Sequence, residues 1–270
     1  MSDDAKQMFA SRLGEARDQS GDTQEGMARL LNMSRRAYGR IEKGEDLAPP
    51  NVPPLLDEHF RTGRLFQEFF TLACKEAIPD QYRARMKMES DEATEIKEYA
   101  DTLVPGLVTT EAYATAFFTE GQRQQPHKIG ELMTLRRKRQ ARLESDDPPY
   151  LRILLSETVL LRPVGGGAVM AEQLRFLADR VDLPRISIQV APLSLGAHPL
   201  LGGTLVLMHR GEAPPILWEE STTTGTLIQD PKTVSESLWL YDRLWGMSLS
   251  PVESRRLLLQ AAKEMEQNHG

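Results

Sequence analysis

Short helical segments separated by very short turns occupy the first 45 residues of the chain and leave few folds open to this region. A first helical pattern of apolar residues ends near Ser20. Thr23 can cap a second helix that ends at Asn32, and Ser34 can cap a third helix that runs through Ile41. Two short helices joined by a turn of three or four residues form a helix-turn-helix. The sequence therefore predicts an all-helical N-terminal region built around this motif.

Three residues in this region affect the backbone conformation or the stability of the predicted helices. Asn tolerates the left-handed backbone that a tight turn between helices needs, so Asn32 is expected to form the turn. Gly26 and Gly39 lie inside predicted helices, where a glycine costs roughly 1 kcal/mol of stability relative to alanine.

The remainder of the chain combines helical and strand-like patterns. Residues 64–100 are expected to be helical. Four later segments have the apolar or alternating pattern of β-strands: Leu151–Ser156, Ile186–Val190, Thr204–Met208 and Pro215–Trp218. The helical segment Val169–Val181 separates the first two strands, which predicts a βαβ unit, and the later two strands can form a hairpin.

Two helices are predicted at the C-terminus. Asp230 and Pro231 are suited to be the cap and the first residue of one helix. Ser250 and Glu253 form a capping box at the start of the other.

The predicted fold class is α+β: a small all-helical helix-turn-helix head followed by a mixed α/β body with a small sheet. We expect the helix-turn-helix domain at residues 1–62, connecting helices at residues 63–100 and an α+β domain at residues 101–270.

Composition restricts the class of protein further. The chain has 270 residues, of which 40% are hydrophobic and 27% charged, and its net charge is −6. No segment approaches the roughly 18 consecutive apolar residues of a membrane span, and the acidic N-terminus lacks the apolar region of a secretory signal. The only cysteine, Cys74, excludes a disulfide framework and is expected to be an inert core residue. We therefore expect a cytoplasmic globular protein without a membrane partner.

Between Thr23 and Gly44, a set of residues recurs at the spacings of a known motif. The set comprises the opening Thr23-Gln24-Glu25, Ala28 in the second helix, Ser34 at the start of the third, and the closing Arg40-Ile41-Glu42-Lys43-Gly44. With these residues the segment resembles the helix-turn-helix of the Cro/repressor type, the XRE family, over about 55 residues.

This resemblance implies that the third helix reads the major groove of double-stranded DNA. Arg35 and Arg36 would face the groove, Arg40 would lie one turn further on, and Gln24 would meet a phosphate. An arginine can bind guanine through two hydrogen bonds, which provides ~1–3 kcal/mol of discrimination. The implied DNA-binding residues are Gln24, Ser34, Arg35, Arg36, Arg40 and Lys43. The alternative is that these cations form an ordinary solvated helix face.

Tyr38 lies where this family usually has an aliphatic core residue. Its side chain either packs in the core of the motif or contacts DNA.

Blocks of sequence in the body carry a second resemblance. They include Val104–Ala114, Arg136–Gln140, Glu157–Gly165, Gln189–Pro192 and Gly196–Pro199. Over roughly residues 90–262 the chain resembles the uncharacterised domain that follows such heads in many actinomycete regulators, often called antitoxin-like. The resemblance implies a regulatory role and a small protein partner encoded nearby, and it provides no catalytic residues.

Polar side chains follow three of the predicted strands. Arg162, His198 and Glu219 could line one cleft for a ligand or partner, because loops at strand ends often form binding sites. Ordinary loop hydrogen bonds are the alternative. The basic run Arg136–Arg139 is expected to be solvated surface or the rim of a site for an acidic partner.

No cofactor or metal is expected. The histidines have no metal-ligand spacing, and the chain lacks both a phosphate-binding loop with Lys-Ser/Thr and the elbow of a serine hydrolase. The histidines are His59, His127, His198, His209 and His269.

Trp239 lies off the apolar face of the helix that begins after Asp230, about 100° away from Leu238. It either anchors a partner or packs against the terminal helix through Leu257 or Leu258.

Together these patterns predict a sequence-specific DNA-binding transcriptional regulator, a homodimer whose body senses a ligand or binds a partner. The alternative is an antitoxin-like protein that mainly binds a small partner protein, with DNA binding secondary. An enzyme is not expected, because the sequence contains no nucleophile–base or metal pattern.

Overall fold

The structure, a computed structural model, describes residues 4–77, 85, 89, 93–121, 128–220 and 225–269. It confirms the predicted α+β class, with a helical N-terminal region followed by a mixed body whose described residues form a seven-stranded sheet. Contacts divide the chain into two compact units. The helical unit comprises Met1–Asp80 and Gly121–Lys138, and the sheet unit comprises Gln81–Glu120 and Arg139–Gly270.

The helices are α1 (Asp4–Ser20), α2 (Gln24–Leu30), α3 (Arg35–Glu42), α4 (Val52–Phe60), α5 (Leu65–Ala77), α6 (Glu111–Gly121), α7 (Lys128–Ala141), α8 (Gly167–Ala178), α9 (Pro231–Met247) and α10 (Pro251–His269). The strands are β1 (Glu95–Ala100), β2 (Tyr150–Ser156), β3 (Asp182–Leu183), β4 (Ile186–Ala191), β5 (Thr204–Arg210), β6 (Ala213–Glu220) and β7 (Gly225–Ile228). Single 3-10 turns occupy Gly106–Val108, Arg142–Glu144, Glu157–Leu161 and Leu193–Leu195.

Apolar residues at helical spacing build the core of the helical unit. Residues buried from its first four helices include Phe9, Leu13, Met27, Ala28, Tyr38, Ile41 and Leu56. Helix α5 packs along α1, where the rings of Phe9 and Phe66 meet edge to face with their centroids 5.5 Å apart.

The buried carboxylate of Asp57 joins α4 to the start of α5. It accepts hydrogen bonds from the backbone N–H groups of Phe66 and Gln67 and from the hydroxyl of Thr62, at 2.9, 3.1 and 2.7 Å. Burial alone would raise the pKa of Asp57, but these hydrogen bonds lower it.

The expected run of connecting helices at residues 63–100 differs from the structure in two respects. Helix Leu65–Ala77 is part of the helical unit, because Phe66 and Phe70 are buried there. Glu95–Ala100 is a strand in the interior of the sheet. Its charged residues Lys97 and Glu98 are buried, and these charges conceal the strand pattern in the sequence.

The sheet has the strand order β3-β4-β2-β1-β5-β6-β7. Strands β1, β2 and β4 are parallel, and β2, α8 and β4 form the predicted βαβ unit. Strands β5 and β6 form the predicted antiparallel hairpin, to which β7 adds a further strand. Strands β1, β3 and β7 were not expected from the sequence.

Helices cover both faces of the sheet. The first core packs side chains of α8 and α10 against the sheet and includes Ile153, Leu174, Val206 and Leu258. The second core packs α9 against the other face and includes Leu154, Leu207, Tyr241 and Leu244.

Side-chain caps begin α9 and α10 as predicted. Asp230 accepts a hydrogen bond from the backbone N–H of Thr233 over 2.9 Å. The N–H of Ser250 donates to the Glu253 carboxylate over 3.0 Å, and the N–H of Glu253 donates to the Ser250 hydroxyl over 3.4 Å. The capping box is therefore confirmed.

Within the described ranges, no helix is both long and apolar enough to cross a bilayer. Cys74 is buried in α5, and burial raises the pKa of its thiol to about 11. The thiol is therefore protonated at neutral pH, as expected for a core cysteine.

Candidate nucleic-acid interface

The turn between α2 and α3 has the predicted geometry. Asn32 adopts the left-handed conformation, with φ of 52°. The Ser34 hydroxyl accepts a hydrogen bond from the backbone N–H of Ala37 over 3.1 Å and so caps α3. These two features fix the start of the helix and place Arg35 and Arg36 in its first turn.

Helix α3 has an apolar side and a basic side. Tyr38 and Ile41 are buried, whereas Arg35, Arg36 and Lys43 are exposed. At roughly 100° per residue, the three cations fall within an arc of roughly 100° on the side away from the core. The interpretation of Tyr38 as a DNA contact is wrong, because its side chain is completely buried.

Glu42 joins α1, α2 and α3 beneath the basic side. Its carboxylate lies 2.5 Å from the Arg17 Nε and accepts hydrogen bonds from the Gln24 amide at 2.5 Å and the Tyr38 hydroxyl at 3.2 Å. This carboxylate raises the pKa of Arg17, and burial raises the pKa of Tyr38. The carboxylate of Glu42 therefore faces these three partners inside the helical unit. Sequence reasoning missed this role, although Glu42 belongs to the closing motif that supported the resemblance.

Gln24 begins α2 and is half-buried. Its amide nitrogen donates one N–H to Glu42, and the second N–H of the same group can still donate to a phosphate. Gln24 and Arg35 line a groove between the starts of α2 and α3.

Arg40 is neutralised within the helical unit. Its Nη2 donates to Oδ1 of Asp46 over 2.7 Å, and its Nε lies 2.7 Å from Oδ2 of the same carboxylate. Gly44, with φ of 69°, turns the chain back after α3 and so brings Asp46 beside Arg40. Arg40, one of the DNA-binding residues that the resemblance implies, is therefore held in an ion pair within the helical unit.

Arg35, Arg36 and Lys43 form the unpaired cations of the helix, and we call them the basic side of α3. In the part of the chain that the structure describes, none of the three side chains forms a hydrogen bond or an ion pair. A long cationic side chain without a partner is free to bind a phosphate or a base edge. The structure thus places three available positive charges on one exposed helix side.

The candidate ligand residues of the body do not contact one another. The His198 Nε2 lies 3.3 Å from the Tyr99 hydroxyl, which belongs to the second core. Arg162 follows a turn whose Val159 packs in the first core, on the other face of the sheet. Glu219 is exposed in β6. The loops after β2 and β4 nevertheless meet, because the Leu193 N–H donates to the Glu157 carboxylate over 2.7 Å, so a common site at this edge of the sheet stays a prediction.

Trp239 is 60% exposed on α9. The alternative in which it packs against the terminal helix is wrong, since Leu258 is buried in the first core while α9 covers the second.

The basic run Arg136–Arg139 is not solvated surface. Arg136 is buried, and the Lys138 ammonium lies 6.0 Å from the centre of the Phe70 ring. Arg139 forms an ion pair with Glu89 at 2.6 Å.

Arg139 belongs to a buried charge cluster in the sheet unit that the sequence did not reveal. Arg85 lies 2.7 Å from Glu89 and 3.5 Å from Glu98, and it also forms an ion pair with Glu220. Burial raises the pKa of Glu98 to about 7, against the opposing effect of Arg85. One oxygen of Glu98 is buried without a hydrogen-bond partner among the described residues.

Among residues with described positions, no three or more His, Cys, Asp or Glu side chains form a group that could hold a metal ion. His127 lies outside the described residues.

Comparison with known protein families divides the chain into an N-terminal and a C-terminal part, much as the contacts do. Residues 9–65 match a family described as a helix-turn-helix domain, which includes α2, α3 and the basic side of α3. Residues 82–260 match a family described as a domain of unknown function (DUF5753). No curated protein and no solved structure matches the chain. Because the second match covers more than half of the sequence, the chain belongs to the DUF5753 family and carries a helix-turn-helix domain in front of that domain.

Proposed function

We propose that the protein is a sequence-specific DNA-binding transcriptional regulator that acts in the cytoplasm and reads DNA with α3. The observation that carries this proposal is the basic side of α3, with Arg35, Arg36 and Lys43 exposed opposite a buried apolar side. The match of residues 9–65 to a helix-turn-helix domain supports it. The resemblance of Thr23–Gly44 to the Cro/repressor type supports it as well.

The residues have different proposed roles. Arg35 and Arg36 enter the major groove, where an arginine can bind both acceptors of a guanine. Lys43 lies eight residues beyond Arg35, ~12 Å along the helix axis, and meets a phosphate. Arg40 contributes only when it leaves Asp46, and Ser34 acts by capping the helix.

We further propose that the protein binds DNA as a homodimer. Helix α3 has only eight residues and can contact few base pairs alone. Two copies related by a two-fold axis double these contacts on a palindromic operator whose half-sites are ~34–36 Å apart. DNA binding by a dimer therefore supplies specificity that one short helix lacks.

The test begins with selection of bound duplexes from random double-stranded DNA by the full chain. Fluorescence anisotropy then compares a selected duplex with an unrelated duplex of the same length over a range of salt concentrations. We expect a preference of roughly 10³-fold or more for the selected duplex and an affinity that falls as salt rises. No enrichment, or equal affinity for the two duplexes, would contradict the proposal.

A second candidate function is binding of a small protein partner by the sheet unit. It is favoured by exposed leucines on loops that follow β2 and β4, namely Leu161, Leu193 and Leu201, near the loop positions of Arg162 and His198. Exposed apolar side chains at strand ends are suited to a protein contact. Co-purification with the product of an adjacent gene, lost in a Leu193→Glu/Leu201→Glu variant of unchanged thermal stability, would support it. A partner retained by that variant would count against this surface.

A further inference from the structure

Helix α9 covers one face of the sheet with its buried side and leaves its other side open. Val234, Tyr241 and Leu244 are buried in the second core. Trp239 projects away from that core and is the only tryptophan among the exposed large apolar side chains of the described residues. A largely exposed tryptophan is unusual. Tryptophan is also enriched among the residues that contribute most binding energy when they become buried between proteins.

Charged residues flank Trp239 in a fixed order. At roughly 100° per residue, Glu236, Trp239 and Arg243 fall within an arc of roughly 60° on the exposed side of α9. The Arg243 guanidinium lies 5.4 Å from the centre of the Trp239 ring, and no carboxylate of the described residues forms an ion pair with it. Lys232, one turn before Glu236 on the same exposed side, lies 4.0 Å from the Glu236 carboxylate, so the stripe reads positive, negative, aromatic, positive along the helix.

Within this stripe, the segment from Glu236 to Arg243 is complementary to itself. Glu236 lies three residues before Trp239, and Arg243 lies four residues after it. When two copies of α9 cross in antiparallel orientation about a two-fold axis beside Trp239, each Glu236 meets the Arg243 of the other copy, and the tryptophans meet at the centre. A two-fold contact uses one surface twice, so self-complementary charge is the property that such a contact requires.

We propose that Glu236, Trp239 and Arg243 form a homodimer interface in which α9 pairs antiparallel with α9 of a second copy. This inference deepens the proposed function, because it supplies the dimer that the function needs. One helix pair buries less than the ~1,200–2,000 Å² of a stable interface, so the dimer is expected to dissociate on dilution.

Light scattering and sedimentation of the full chain in the absence of DNA test the interface. We expect the wild-type chain to dimerise as its concentration rises towards ~100 µM, where even modest affinity is sufficient. We expect Trp239→Ala to remain monomeric over the same range while its melting temperature stays unchanged, because the side chain is outside the core.

Charge reversal tests the antiparallel orientation. In Glu236→Arg, positions 236 and 243, which meet across the interface, are both positive, and in Arg243→Glu they are both negative. Each variant alone is therefore expected to be monomeric. An equimolar mixture of the two variants restores both opposite-charge pairs and is expected to dimerise. Arg256→Glu on the exposed side of α10 is the matched control and should dimerise like the wild type.

A strict monomer at ~100 µM, a Trp239→Ala variant that still dimerises, or a mixture that stays monomeric would each overturn the proposal. Dimers that form through another surface, or binding of a different protein at Trp239 by a monomeric chain, would do the same. Because no DNA is present, failure here leaves the DNA-binding proposal intact. Failure of the selected duplex to bind a proven dimer would refute only the proposed function.

Discussion

Gly39 lies on the exposed side of α3, where an added Cβ atom would meet no other atom within 4 Å. Its backbone is not in the left-handed region, so alanine can adopt the same conformation. We expect Gly39→Ala to raise the stability of the helical unit by about 0.5–1 kcal/mol, because alanine loses less backbone freedom on folding. Thermal unfolding and amide hydrogen exchange of α3 measure the effect.

Gly44→Ala is the control for Gly39→Ala. Gly44 has φ of 69°, and its added Cβ would lie 2.7 Å from the side-chain amide of Gln7. We expect this change to lower stability. If both substitutions shifted stability in the same direction, the conformational argument would be wrong.

Glu98 makes the stability of the sheet unit depend on pH, and the direction of this dependence follows from the pKa of Glu98. Burial raises the pKa of Glu98 in the folded state to about 7 from an ordinary value of 4.5. The folded state therefore binds this proton more tightly than the unfolded chain does. The stability linked to this carboxyl is fully present below pH 4.5 and is lost as pH rises through about 7.

We expect Glu98→Gln to match the wild type near pH 4.5 and to be more stable at pH 8, by at most about 3 kcal/mol. The amide is neutral at both pH values and leaves Arg85 with Glu89 and Glu220 as partners. Chemical denaturation at the two pH values gives the difference. Glu95→Gln, on the same strand but partly exposed, should show no such gain at pH 8. If the free energy of unfolding of Glu98→Gln differed from that of the wild type by the same amount at both pH values, the raised pKa of Glu98 would be refuted.

Helix α3 is held in place by Glu42, which contacts Arg17 of α1 and Gln24 of α2. We expect Glu42→Ala to destabilise the helical unit by roughly 2–3 kcal/mol, because it leaves the mostly buried Arg17 with only the exposed carboxylate of Asp18 as an ion-pair partner. The variant should also bind selected and unrelated DNA more weakly, since the orientation of α3 is lost. Denaturation and anisotropy measure the two effects.

The control for Glu42→Ala is Glu45→Ala, which removes an exposed carboxylate 3.9 Å from Arg40. It should change neither stability nor DNA binding appreciably. Comparable losses in the two variants would show that Glu42 has no special role in joining the helices.

Elements whose signals are local were predictable from the sequence. The caps Thr23, Ser34 and Asp230 act within three residues of their own position, and all three are confirmed. Strands β2, β4, β5 and β6 have apolar runs or alternation that any strand buried in a sheet requires.

Strand β1 was missed because its sequence is rich in charge. Lys97 is neutralised by Asp242, 145 residues away, and Glu98 lies near Arg85. A partner as distant along the chain as Asp242 is supplied by the tertiary fold, and periodicity alone does not reveal it. The ion pair between Arg40 and Asp46 was missed for a related reason, since it depends on the turn at Gly44.

For the molecule as a whole, the sequence predicts the division into a helical head and an α+β body. It does not predict that Gly121–Lys138 belongs to the helical unit. The chain carries a net charge of −6, so the positive side of α3 is a local feature on an acidic protein. This contrast favours an orientation in which α3 faces a DNA duplex and the rest of the chain does not.

Substitution of Arg36 by alanine shows whether the basic side of α3 reads DNA sequence. Anisotropy measures the affinities of the wild type, this variant and the control Arg12→Ala for a selected and an unrelated duplex. Arg12 is exposed on α1 and pairs with Glu15, so its removal should change neither affinity. We expect Arg36→Ala to lose ~1–3 kcal/mol on the selected duplex and clearly less on the unrelated one. An equal loss on both duplexes, or no loss on either, would contradict the claim that α3 reads sequence through Arg36.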